Sequence, residues 1–377
     1  MKFIVAPDKF KDSLTGFEFC DAAANGIRSV FDTAEIIKMP LADGGDGTME
    51  VVRHYIKGEI ISLTAQDPLF RPLETSYLYS EQNRVAYIEM AEISGLKLLS
   101  SGERDCMHTT TYGTGQLIAD ALDNGAKEII LGIGGSATND GGLGMAAALG
   151  YRFLDTHGQE LSPVGSNLIK VKSIDSSKMN PLIAKATIKI ACDVTNVFYG
   201  EDGAAKVYGA QKGASPEDIV HLDKGLQNFS KLIKEIYNTD LQTIKGAGAA
   251  GGIGGGAMVF LNAELESGIE LVKKLANFDQ VIEGSDWVIT GEGQLDGQTL
   301  SGKTIDGVVS SAAKHGIPVA AFCGSVAITQ EQQNELGIVY AASIIKGIST
   351  LEQAMKNSFT NLEFASFNFA KLIQHTL

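Results

Sequence analysis

Apolar positions along the chain fall into two textures. Near the start, residues 3–6 form a short apolar run ending at Pro7, which predicts a strand. Leu14, Phe17, Ala22, Ile27 and Val30 then recur near a helical spacing, so residues 13–31 are predicted as a helix with Ser13 or Thr15 as N-cap. Residues 35–39 read as a second strand and residues 49–56 as a second helix. A βαβα order implies a parallel sheet, because parallel neighbours need a crossover between them. The same texture returns at the far end. There, residues 286–290, 318–323 and 339–345 are predicted strands, and residues 305–315 and 351–372 are predicted helices.

The middle of the chain differs. Residues 59–65, 74–79 and 85–90 are short alternating segments joined by turns, the pattern of antiparallel or mixed strands. Residues 109–124 and 144–150 are predicted helices, 128–131 and 187–193 strands, and 151–161 a hairpin. Pro216 at a first helical position opens a predicted helix at 215–237, and residues 270–275 and 278–282 are also helical. Two similar ends around a dissimilar middle predict two dissimilar α/β domains. One is a Rossmann-like parallel-sheet domain built from both termini, residues 1–60 and 284–377. The other is an inserted mixed α/β domain, residues 61–283.

Composition narrows the class. A chain of 377 residues can bury two cores. Its 43 glycines show no triplet period, which excludes collagen, and they cluster in loops between apolar runs. A net charge of −14 argues against nucleic acid and acidic membrane surfaces as partners, since both demand basic patches. Cys20, Cys106, Cys192 and Cys323 have no CxxC or zinc-finger spacing and read as buried thiols in a reducing compartment. With no apolar run long enough to span a bilayer and no leader pattern, the expected location is the cytoplasm.

The stretch Leu131-Gly-Ile-Gly-Gly-Ser-Ala-Thr-Asn-Asp-Gly-Gly142 concentrates the candidate chemistry. It links a predicted strand to a predicted helix. Glycines let backbone N–H groups approach a ligand, and a helix N-terminus favours an anion. Gly134, Gly135, Ser136, Thr138, Asn139, Asp140 and Gly141 are therefore expected to cradle a phosphate or carboxylate. Six acids, Asp8, Asp43, Asp46, Asp193, Glu292 and Asp296, sit just beyond predicted strand ends, the edge where open α/β sheets bind ligands. Lys9 and Lys11 flank Asp8 and are placed to balance anionic charge. Lys212, in Gly209-Ala-Gln-Lys-Gly213, is similarly placed in a loop, although a surface lysine explains it as well.

Three formal motif matches carry less weight. Gly132-x-Gly134-x-x-Ala137 and Gly246-x-Gly248-x-x-Gly251 fit a dinucleotide fingerprint, but so glycine-rich a chain produces such matches readily. Gly297-Gln-Thr-Leu-Ser-Gly-Lys-Thr304 fits a P-loop pattern, yet six residues separate it from the preceding strand. Lys303 is read there as a loop lysine near a phosphate.

Taken in order, several stretches resemble the bacterial glycerate kinases over nearly the whole chain. They are Ala6-Pro-Asp-Lys-Phe-Lys-Asp-Ser-Leu-Thr15, Asp43-Gly-Gly-Asp-Gly-Thr48, Gly134-Gly-Ser-Ala-Thr-Asn-Asp-Gly-Gly142, Cys192-Asp-Val-Thr-Asn196, Gly203-Ala-Ala205, Gln211-Lys-Gly-Ala214, Gly246-Ala-Gly-Ala-Ala-Gly-Gly252 and Thr290-Gly-Glu-Gly-Gln-Leu-Asp-Gly-Gln-Thr299. The resemblance implies ATP-dependent phosphorylation of D-glycerate with Mg²⁺, on two α/β domains with the active-site cleft between them. It implies the 2-hydroxyl as acceptor, with 3-phosphorylation as the alternative. Under it Asp193 is expected as general base, Lys9, Lys11 and Asp8 as further catalytic groups, and Asp43 and Asp296 as the Mg²⁺ side. The chain departs from the family pattern at Asn196-Val197-Phe198, at Asp46 where Glu is common, and at Lys9 and Asp12 in the first loop. A nicotinamide-dependent dehydrogenase and a non-catalytic sensor of anionic metabolites are the competing classes.

Overall fold

The computed structural model describes residues 1–44, 47–296 and 304–376. Along the chain the strands are β1 (Lys2–Val5), β2 (Glu35–Lys38), β3 (Glu59–Gln66), β4 (Pro72–Ser80), β5 (Val85–Glu89), β6 (Glu128–Gly132), β7 (Arg152–Leu154), β8 (Ser173–Asp175), β9 (Thr187–Ala191), β10 (Glu264–Glu266), β11 (Trp287–Thr290), β12 (Gln294–Leu295), β13 (Val319–Cys323), β14 (Ser325–Val326) and β15 (Tyr340–Ser343). The helices are α1 (Gly16–Arg28), α2 (Thr48–Ile56), α3 (Ala91–Ser94), α4 (Tyr112–Asp123), α5 (Leu143–Ala148), α6 (Ala204–Tyr208), α7 (Pro216–Tyr237), α8 (Ala249–Leu261), α9 (Gly268–Leu275), α10 (Phe278–Val281), α11 (Thr304–Lys314), α12 (Gln330–Leu336), α13 (Leu351–Lys356) and α14 (Ser358–Gln374). The fold is α/β. It divides into a terminal unit, Met1–Tyr55 with Gly268–Leu377, and an inserted unit, Ile56–Ser267. Helices α9 and α10, which the sequence pattern leaves in the middle segment, thus belong with the termini. There Ile269 of α9 packs tightly on Gly307 of α11, where an added Cβ would meet it at 2.6 Å.

In the terminal unit five parallel strands lie in the order β15-β13-β11-β1-β2. Counted by first appearance this is 2-1-3-4-5, the flavodoxin-like order, in which the winding direction reverses between β1 and its β11 neighbour. Phe3, Ile4 and Val5 are fully buried, as a strand covered on both faces requires, and this accounts for their unbroken apolar run. Thr15 caps α1 with Glu18 in a reciprocal capping box, which settles the choice between the two candidate caps. The core closes on an aromatic group in which Phe369 of α14 meets Trp287, Phe322 and Tyr340 at ring-centroid distances of 4.9, 5.7 and 5.1 Å. The terminal helix expected at 351–372 breaks at Asn357 into α13 and α14. At the break the hydroxyls of Ser13 and Ser358 both donate to the carbonyl of Met355, diverting it from the helical ladder.

In the inserted unit one six-stranded sheet runs β10-β9-β6-β5-β4-β3. The pairs β3–β4 and β4–β5 are antiparallel, whereas β5, β6, β9 and β10 are parallel. Glu89, Gly132, Ala191 and Glu266 stand in register at the carboxyl ends of those four parallel strands. The hairpin expected within 151–161 is reduced to a bridge between Leu154 and Glu160, because β7 takes β8 as its partner. The glycine-rich run at 246–256 leads into α8, in which Ala250, Gly251 and Gly252 adopt left-handed backbone at φ 51, 77 and 92°. Among the described residues no helix is long and apolar enough to cross a membrane.

Candidate active site

Asp8 leaves the carboxyl end of β1 at the point where the winding reverses, and its N–H donates to the Gly291 carbonyl at the end of β11 (2.9 Å). Its carboxylate accepts from the Lys9 N–H (2.7 Å) and the Thr304 hydroxyl (2.5 Å). Burial of the carboxylate, and then the nearby charge of Asp43, raise its pKa to about 6, and the two hydrogen bonds only partly offset this. A carboxylate so poised is ionised at neutral pH yet basic enough to accept a proton. The Lys9 ammonium lies 3.6 Å from the position a Cβ on Gly47 would take, beside the loop that carries Asp43. A pocket of about 320 Å³ opens here, lined among others by Asp8, Lys9, Asp12, Phe10 and Glu50.

The terminal unit therefore brings Asp8, Lys9 and Asp43 together. Lys11 is exposed and does not line the pocket. Asp296 follows β12, a two-residue strand paired with β14, and is half-buried. Asp46, Lys303 and the rest of the P-loop match before Thr304 lie outside the described residues. Thr304 itself opens α11 and holds Asp8.

In the inserted unit the glycine-rich loop leaves β6 and enters α5. Gly134 and Gly135 are exposed, and everything from Ser136 to Gly142 is buried. Asp140 organises the turn. Its carboxylate accepts from the Thr111 N–H and hydroxyl (2.8 Å each) and from the N–H groups of Gly142 and Gly144 (3.1 Å each). Full burial still pushes its pKa upward. It thus serves as an internal brace, with its lone pairs already given to the loop, rather than as a group turned toward a ligand. Beneath the loop Lys212 is buried, contrary to the surface reading of a loop lysine, and its ammonium donates to Ser136 Oγ and the Thr138 carbonyl at 2.7 Å each. Thr138 Oγ1 and both amide atoms of Asn139 are buried and, among the described residues, have no hydrogen-bond partner. Such groups cost about 1–3 kcal/mol each when left unpaired, so they mark where a polar ligand or ordered water completes the loop. Asp193 stands exposed beyond β9, on the same sheet edge as the loop.

Thr304, Glu89 and Glu266 were not among the expected site groups, and Lys212 was expected at the surface. Thr304 was absorbed into the P-loop pattern, and the burial of Lys212 had no local signal. Glu89 and Glu266 end parallel strands of the inserted unit, but the pattern at β5 left antiparallel and mixed pairing open, and β10 was too short to recognise.

Strand-end acids at a winding reversal, and a glycine-rich loop on a second parallel edge, are features of α/β enzymes that act on small polar substrates. The comparisons sharpen this class. The family model described as the glycerate kinase family matches residues 3–374, and the chain belongs to that family. It is 44% identical to a glycerate kinase of Halalkalibacterium halodurans over 97% of each chain. It is 41% identical to the glycerate 2-kinase of Escherichia coli over 98% of this chain and 97% of the other. The crystal structure of a candidate glycerate kinase 2 from Salmonella typhimurium LT2 superposes with a TM-score of 0.90 at 40% identity, covering 100% of this chain and 99% of that one. Membership of that family makes the chain an enzyme that phosphorylates glycerate, and the dehydrogenase and sensor classes give way to it.

Proposed function

We propose that the chain transfers the γ-phosphoryl group of ATP to the 2-hydroxyl of D-glycerate in the cytoplasm. The choice of the 2-hydroxyl is supported by the Escherichia coli relative, which is named a glycerate 2-kinase. The observation that carries the chemistry is Asp8, held with a pKa of about 6 beside Lys9 and Asp43. As the new O–P bond forms, Asp8 takes the proton of the acceptor hydroxyl. The bond between the β,γ-bridging oxygen and the γ-phosphorus breaks, and ADP leaves. Lys9 offsets anionic charge, and the loop at Gly134, Gly135, Ser136, Thr138, Asn139 and Gly141 holds a phosphate or the glycerate carboxylate.

Among the described residues no cluster of three or more His, Cys, Asp or Glu side chains is placed to hold a metal. An all-oxygen pair nevertheless suits Mg²⁺, which takes one or two carboxylates and completes its shell with phosphate oxygens and water. Asp43, whose charge already acts on Asp8, and Asp296 would hold it. Bound there, the ion neutralises phosphate charge.

Incubation with Mg-ATP and D-glycerate, followed by ³¹P NMR, tests the reaction. ADP and 2-phosphoglycerate are expected in equal amounts. A 3-phosphoglycerate signal would overturn the position, and glycerate-independent ADP would overturn the transfer. Asp193 is the second candidate for the base. We expect Asp193→Asn to lower kcat about tenfold, through lost local charge. If it costs more than Asp8→Asn, the base is Asp193.

A further inference from the structure

We propose that Lys212 is a positioning residue for catalysis, acting through the Ser136 hydroxyl to aim a proton at an anionic oxygen of a bound substrate. The proposal rests on the reading of the glycine loop as an anion cradle.

Lys212 is 2% exposed, and a buried ammonium is retained only where hydrogen bonds and charge compensate for lost water. Two of its three protons go to Ser136 Oγ and the Thr138 carbonyl, so the ammonium ties together two alternate residues of the loop. Ser136 is thereby an acceptor from below. Its own proton must point elsewhere, and among the described residues no protein acceptor takes it. Ser136 is itself 6% exposed and directly follows the exposed Gly134 and Gly135, and we take that proton to face the open side of the loop. Accepting a charge-assisted hydrogen bond also makes the hydroxyl a stronger donor, because chained hydrogen bonds polarise one another. A purely structural tie would be served by a neutral donor at lower desolvation cost.

Burial lowers the pKa of Lys212 to about 8, and Cys106 and Asp140 act against that shift. Burial pushes the Cys106 thiol up to about 11, and Asp105 and Asp218 act on it in turn. At neutral pH Lys212 is charged, and it loses the charge as pH rises through about 8.

The test is steady-state kinetics on Ser136→Ala, Lys212→Met and the double variant, with both substrates varied at pH 7. Each single change is expected to raise KM for one and the same substrate about 30-fold. The double variant should be no worse than the worse single, because both changes remove one device. Multiplying effects, or an unchanged KM in Lys212→Met alone, would overturn the role of Lys212 and leave the cradle standing. Unchanged KM values for both substrates in both variants would overturn the cradle as well. Should Lys212→Met fail to fold, the pH dependence decides. In the parent, KM for that substrate should rise as pH passes about 8, and in Ser136→Ala that rise should vanish. A rise that persists in Ser136→Ala overturns the proposal.

Discussion

An Asp8→Asn variant should turn over glycerate about a thousandfold more slowly than the parent and yet unfold at a higher temperature at pH 7. The kinetic loss follows from removing a general base, which commonly costs 10²- to 10⁴-fold. Asn keeps the shape and an acceptor for the Thr304 hydroxyl or the Lys9 N–H, but it cannot take a proton. The stability gain follows from linkage. In the ligand-free fold Asp8 titrates near 6, above its ordinary value of 3.8. Between those values the folded chain holds a proton that the unfolded chain has released, so this group makes stability fall as pH rises from about 4 to about 6. A shift of this size corresponds to about 3 kcal/mol at pH 7, which Asn does not incur. Thermal melts of the ligand-free proteins from pH 4 to 8 should show the two curves close at the acid end and parting toward neutrality. Full turnover in the variant would remove Asp8 as base. A lower melting temperature at pH 7 would mean that its charge is better compensated than its surroundings indicate.

Gly251→Ala should disable the glycine-rich loop from a distance. At φ 77° residue 251 is left-handed, and its carbonyl accepts the Gly141 N–H at 3.0 Å. A Cβ there would lie 2.0 Å from the Thr138 carbonyl oxygen and 2.7 Å from Asn139 Cα, both backbone atoms that cannot turn aside. The Thr138 carbonyl is also one of the two acceptors of Lys212, so the displaced strand of loop carries that contact with it. Overpacking and left-handed strain together should cost about 3–4 kcal/mol. A loop shift of about 1 Å should lower kcat/KM about a hundredfold. Gly158→Ala is the matched control. It has φ 74° and nothing within 4 Å of an added Cβ, so it bears the strain without the collision. It should lose about 1 kcal/mol and keep its activity. If the two variants behave alike, the packing of α8 on the loop is not what positions it.

The two textures of the chain were legible because periodicity reports burial. The run at Phe3 to Val5 and the helical spacing of α1 located a central parallel strand and its first crossover to within about three residues, the ordinary uncertainty of element ends. The site was legible where acids follow strands, as Asp8 does. It was obscure where a contact spans the chain. The Thr304 hydroxyl reaches Asp8 across 296 residues, and Lys212 reaches Ser136 across 76, and no local pattern encodes either. Glycine misled in one place. The run at 246–256 has a loop's composition, yet residues beyond the left-handed turn are helical, because close packing on Gly141 and Gly142 excludes side chains there. Asp140 shows the opposite failure. Its place in a polar loop suggested a ligand contact, whereas four donors from the chain itself occupy it.

The position of β1 has a consequence for synthesis. It pairs with β2 at once, but its other neighbour is β11, with Phe3 opposite Trp287. At about 5–20 residues per second a ribosome needs roughly 15–60 s to supply that partner. For that interval Phe3, Ile4 and Val5 have no completed sheet to enter, while the whole of Ile56–Ser267 has emerged and can fold. The terminal unit is therefore finished after the inserted one, and the nascent polypeptide carries the apolar strand β1 without its β11 neighbour until residues 287–289 emerge. Chaperone dependence during expression should concentrate on those first residues.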